Sequence, residues 1–246
     1  MYSPYDFNQN IAHRAEYAEE RLKEGMPVVA LSYDQGVLLF AVRRSQRKIF
    51  EIYDQLMYAA LGNHSDVEAV RLAAIDFAHQ EGFARSPDDV SIQRLVGFAV
   101  SPPLKRSFGD PMSTPYVLRA LFAEVGRTPD ADAFFVLNYD GEFAEYSRCA
   151  AIAGSIPAED AMVAKLREDD SVPDLAGALK RAAEAWKSAF NPPEEEESTQ
   201  EDDDPLKEAL KDSQLEAAVL ERDTPRESKF RLLREDELKD VMAELE

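Results

Sequence analysis

Few residues in this 246-residue chain carry reactive chemistry, and their types and spacing limit what they can do. The three histidines, His13, His64 and His79, are too scattered for a metal triad and read as surface or capping residues. No metal and no cofactor is expected. The single cysteine, Cys149, stands beside Ala150 and Ala151 in an apolar run, so it reads as a small core residue rather than a nucleophile. Being alone, it excludes an intramolecular disulfide and a multi-cysteine zinc site, and it fits a reducing, cytoplasmic setting. Lys48 ends a basic stretch (Arg43, Arg44, Arg47, Lys48) directly before the apolar Ile49. Taken by itself it is an ordinary solvated lysine.

The elements that must position these residues centre on 26–62. Val28 to Leu31, Val37 to Val42, Ile49 to Ile52 and Leu56 to Leu61 form continuous apolar runs, broken by Asp34-Gln35-Gly36 and by the basic bend. Unalternating runs of this length predict strands covered on both faces, where a surface hairpin would alternate. Ahead of them, residues 11–24 predict a helix ended by Gly25 as a left-handed stop. Its apolar face is thin (Ile11, Ala15, Ala18, Leu22), so it either lies loosely on the surface or packs on a neighbouring subunit.

After the strands, Ser65-Asp66-Val67-Glu68 reads as a capping box opening a helix to Gly82. Ser86-Pro87 opens a second helix, with Ile92, Leu95, Val96 and Ala99 on one face, which stops at Pro102-Pro103. A second strand set covers 116–125, 133–139 and 142–152, the last two forming a hairpin around Asp140-Gly141. Helices follow at 158–167 and 173–190. Residues 191–205 hold eight acidic side chains and no basic one, which predicts a disordered, self-repelling insertion within the domain. Beyond it, 215–221 is strand-like, 230–233 is ambiguous and 235–245 is a helix. Two strand blocks, each followed by a helix pair, predict an α/β architecture of two mostly antiparallel sheets packed face to face, with helices on both outer faces.

Composition narrows the function classes. The length suits one large domain or two small ones, and a 45% apolar content is ample for a core. No apolar run approaches the roughly 20 residues of a membrane span, and the first residues have no secretion-signal pattern. A net charge of −20 repels phosphate backbones and argues against nucleic acid as a partner.

Several segments in this order resemble one family. Residues 25–41 (GMPVVALSYDQGVLLFA), Lys48-Ile49 and Tyr139-Asp140-Gly141 are similar to the α-type subunit of the bacterial proteasome core particle. Residues 145–155 (EYSRCAAIAGS) and Glu16-Tyr17-Ala18 resemble the archaeal counterpart, and residues 215–233 followed by a helix resemble the actinobacterial C-terminal end. The resemblance spans nearly the whole chain, treats 1–246 as a single domain, and implies a four-layer αββα sandwich shared with N-terminal-nucleophile hydrolases. It further implies a seven-membered ring of copies of this chain, catalytic β-type subunits, a ring-shaped AAA ATPase activator and unfolded protein substrates. Catalytic members expose an N-terminal threonine tuned by a lysine and an aspartate. Here Met26-Pro27 offers no Thr, Ser or Cys, the acid position falls near Ala41 or Val42, and Lys48 alone remains. No catalytic residue is therefore expected. A threonine peptidase or other N-terminal-nucleophile hydrolase is the alternative, and a free-standing binding module a third reading. By resemblance, Lys48 and Gly25 belong to an activator-binding pocket where the lysine meets a terminal carboxylate. In the same way Tyr5, Asp6 and Phe7 belong to a gate, and Glu16 and Tyr17 to ring contacts.

Overall fold

The apolar runs of residues 26–62 become four antiparallel strands: β1 (Val28–Tyr33), β2 (Gly36–Arg43), β3 (Ile49–Tyr53) and β4 (Leu56–Gly62). Every residue of β1 is buried, as the absence of alternation predicts. The computed structural model describes residues 4–190 and 204–243. The remaining strands are β5 (Leu118–Glu124), β6 (Ala133–Leu137), β7 (Phe143–Ser147), β8 (Cys149–Ile152), β9 (Gln214–Glu221) and β10 (Phe230–Leu232). They form two five-stranded antiparallel sheets, ordered β10-β9-β2-β1-β8 and β3-β4-β5-β6-β7.

Between the sheets lies an apolar seam that includes Val28, Ala30, Leu39, Met57, Leu121, Phe134 and Ile152. The outer face of the second sheet is covered by α2 (His64–Ala84) and a composite helix over 92–109, which pack Val70, Ala74, Leu95 and Val96 over Tyr58 and Phe122. The first sheet is covered by α5 (Ile156–Leu166) and α6 (Leu175–Ser188), with Met162, Leu179 and Trp186 against Val29 and Phe40. The four layers are those expected. Among the described residues no helix is long and apolar enough to cross a membrane, and no cluster of His, Cys, Asp or Glu could hold a metal ion.

Several local expectations are corrected. The strand expected over 142–152 is two strands in different sheets: β7 pairs with β6, and β8 pairs with β1. The crossing is made at Arg148, whose φ of 71° is left-handed, so the backbone turns abruptly between the two strands. The helix expected to stop at Pro102-Pro103 continues. A short α3 (Ile92–Arg94) opens into a π-helical turn at Leu95–Val100, and α4 (Ser101–Gly109) starts with both prolines in its first turn, where a missing N–H is tolerated. The cap of α2 is Asn63, whose side chain accepts from the Ser65 N–H, and not Ser65 itself. The first helix, α1 (Pro4–Leu22), begins well before Ile11. Most of the acidic insertion, 191–203, lies outside the described residues. Its last two residues are ordered: Asp204 caps the short α7 (Pro205–Leu210) through the Leu206 N–H and pairs with Lys187 of α6. The final helix is α8 (Glu235–Ala243).

At the far end of the sandwich from Lys48, Arg222 after β9 grips Asp132 before β6 with two hydrogen bonds of 2.9 and 3.0 Å. Asp132 is 3% exposed and also accepts the Gly126 N–H at 2.8 Å. Removing one partner strands a buried charge. Asp132→Ala is expected to cost about 3–5 kcal/mol in urea unfolding of the subunit. Asp130→Ala, which breaks only the surface pair with Arg148, should cost about 0–1 kcal/mol. Equal losses would show that the Arg222–Asp132 clamp does not hold the sheets together.

Candidate functional site

Lys48 sits immediately before β3, where two strand starts come together. Its backbone N–H donates to Oε2 of Glu216 on β9 at 2.9 Å, and its Nζ donates to the carbonyl oxygen of Met26, just ahead of β1, at 2.5 Å. Glu216 is the only acid in the β9 run Leu215–Leu220 and is 6% exposed, with Arg43 also facing it at 3.6 Å. The lysine thus ties the mouths of β1 and β3 together across the buried carboxylate.

A cleft of about 370 Å³ opens over this point, lined by Gly25, Met26, Arg44, Arg47, Lys48 and His64 among others. Lys48 and Gly25, paired from the sequence, therefore line one cavity. Gly25 is there for a different reason from the one expected. Positive φ occurs at Gly62 and Gly141 among the described glycines and not at Gly25, so no left-handed helix stop forms. Instead a Cβ at Gly25 would lie 2.8 Å from Leu61 Cδ1 and 2.9 Å from the Leu22 carbonyl oxygen. Close approach of the end of α1 to β4 is what requires the glycine.

Burial pushes the Lys48 ammonium down to about 7; Glu216 opposes this and Arg44 adds to it. The Glu216 carboxyl is pushed up by burial, against the donors that Lys48 and Arg43 bring to it. Exposed Arg44 and Arg47 at the rim give the cleft two further positive charges. An entering carboxylate would meet cations from several sides in a partly desolvated place.

The positions that a hydrolase of this fold would use hold other residues here. Met26 and Pro27 present no hydroxyl or thiol, and the Pro27 carbonyl accepts the Trp186 indole N–H at 3.1 Å. Ala41 and Val42, at the expected acid position, are fully buried aliphatic residues. The end of α1 lies against Gly154, where a Cβ would come 2.4 Å from the Leu22 carbonyl oxygen. This helix occupies the space before β1.

Of the other expected sites, Glu16 and Tyr17 do not line this cleft. Glu16 and Tyr17 are exposed on α1, with Tyr17 under the Arg21 guanidinium at 4.9 Å. Tyr5, Asp6 and Phe7 fall in the first turns of α1, and their side chains lie outside the described residues. His13 is exposed, His64 opens α2 at the cleft rim, and His79 meets Tyr53 edge-on at 5.3 Å. Cys149 is buried in β8, and burial pushes its thiol up, which disfavours a nucleophile. Sequence reasoning missed Glu216 and the Met26 carbonyl. An acid within an apolar strand was a usable signal for the first; every residue has a carbonyl, so the second had none.

The low Lys48 value sets a pH dependence. The folded value of about 7 lies below the ordinary 10.5, so the folded state resists the proton. That cost is fully present below pH about 7, and stability is gained as pH rises from about 7 to 10.5. NMR titration of the Lys48 side chain should give a midpoint near 7, and Lys48→Met should flatten the stability rise in that window. A midpoint above 10 would show a merely solvated ammonium.

No family model matches the chain. It is 34% identical over 226 residues to the proteasome subunit alpha of Actinosynnema mirum, covering 91% of this chain and 81% of that one. It is 32% identical over 228 residues to that of Streptosporangium roseum, covering 91% and 80%. It is 30% identical over 239 residues to that of Thermobifida fusca, covering 96% and 88%. With the αββα layers and this extent of similarity, the chain belongs to the proteasome alpha subunit family.

Proposed function

We propose that this chain is a non-catalytic α-type subunit of a proteasome core particle. Copies of it form the outer seven-membered rings, template assembly with catalytic β-type subunits, restrict entry of folded proteins and dock a ring-shaped AAA ATPase that feeds in unfolded substrate. The observation that carries this reading is the Lys48 cleft. The lysine that a hydrolase of this fold would use stands just before β3 and reaches the start of β1, yet its ammonium binds the Met26 backbone carbonyl and has no nucleophile to tune. An ammonium so placed is suited to receive the terminal carboxylate of an activator's tail, with Gly25 lining the cleft beside it. Tyr5, Asp6 and Phe7 serve the gate, and Glu16 and Tyr17 the contacts between ring neighbours. The same missing nucleophile disfavours a threonine peptidase.

The test uses the assembled core particle. Lys48→Ala should weaken ATPase docking about tenfold or more at fixed salt, since a charge-assisted contact of roughly 1.5–3 kcal/mol is lost at each of several linked tails. Lys48→Arg should recover part of it, because the charge stays but its geometry changes. Arg44 lines the same cleft and is no control; Arg127, exposed at the opposite end of the second sheet, is a suitable one. Equal docking by Lys48→Ala and Arg127→Ala would sink the assignment of the cleft. Purified alone, the chain should hydrolyse no peptide, and labelling by a threonine-directed inhibitor would overturn the non-catalytic reading.

A further inference from the structure

Helix α1 leaves most of its surface in solvent; among its described side chains only Ala18 and Leu22 are buried. Both lie toward its C-terminal end, and among the described side chains before Arg14 none is buried. Two polar side chains reach back from it. Arg14 donates from Nε to the Phe108 carbonyl oxygen at 3.0 Å and from Nη2 to the Ser107 carbonyl oxygen at 2.8 Å. These oxygens belong to the last turn of α4, where carbonyls have no donor within the helix and a cation is favoured. Glu19 accepts the Tyr139 hydroxyl at 2.8 Å.

The two anchors are joined. The Phe108 and Tyr139 rings pack at 5.5 Å, tilted by 53°, and the Arg14 guanidinium lies 6.0 Å from the Phe108 centroid. Two residues of one helix thus grip one aromatic pair from both sides, and that pair bridges α4 and the β6–β7 turn. We propose that Arg14, Phe108, Tyr139 and Glu19 form a latch that sets the pose of α1 on the sandwich. They are positioning residues. Arg14 is the last of these anchors before the N-terminal segment, so the latch also aims Tyr5 to Phe7. This consequence rests on the gate reading proposed above; the latch itself does not.

The experiment separates the two. Amide hydrogen exchange of residues 8–17 is measured on the full chain for Arg14→Ala, for Tyr139→Phe, which removes only the hydroxyl, and for the double variant. Each single change should speed exchange about tenfold, with the double variant well short of the product because the anchors are coupled. Arg14→Lys should restore part of the protection, since an ammonium still donates to the α4 carbonyls. Unchanged exchange in both single variants, or full additivity in the double, overturns the latch. In core particles built with Tyr139→Phe, degradation of an unfolded protein without ATPase should rise several-fold. Faster α1 exchange with unchanged degradation would uphold the latch and sink the gate role of residues 5–7.

Discussion

Two sheets whose central strands bury both faces constrain everything else in this molecule. A strand covered above and below cannot carry a charge along its length without a partner, so polar chemistry is driven to the open ends of the sandwich. One end holds the Arg222–Asp132 clamp and the other holds Lys48, Glu216 and the start of β1. The same demand forces the chain to supply a helix pair for each outer face, which accounts for strand blocks punctuated by helices. It also explains why the charged exceptions inside the layers, such as Arg119 with Glu159 at 2.7 Å, come as pairs.

Lys48 illustrates how one side chain can serve two chemistries in one fold. A lysine at the meeting of β1 and β3 can tune a hydroxyl on the first residue of a freed strand, or it can hold a backbone carbonyl and await an anion. Which occurs depends on what precedes β1. Here α1 runs directly into Gly25 and Met26, so β1 is preceded by a helix that stays attached to it. The half-buried ammonium holds that carbonyl and is poised near neutrality by its own desolvation, which suits the receptor role proposed for it.

The layers were readable from the sequence because burial on two faces leaves a direct mark, as in Val37 to Val42. Lys48 and Gly25 were found through the order of weak motifs, and they do share a cavity. What escaped was the local backbone. Nothing in residues 145–149 announces that Arg148 turns left-handed and moves the chain to another sheet, since arginine has no preference for that conformation. Pro102-Pro103 looked like a stop, yet the π turn before it makes room for a new helix start. The assignment of each strand block to both sheets is likewise a long-range fact: β3 and β4 leave β1 and β2 because β9 takes the place beside β2.

Asp204 brings together the end of α6 and the start of α7, through its pair with Lys187 and its cap on Leu206. The chain therefore departs and returns at a single pinned junction. When two ends are fixed side by side, the closure entropy of whatever joins them grows slowly, by about 0.6 kcal/mol for each doubling of length. The sandwich thus holds the two pinned ends, Lys187 and Asp204, and a joining segment of any length costs it little. By that arithmetic, a reporter or affinity handle grafted between those two ends is expected to leave the four layers undisturbed.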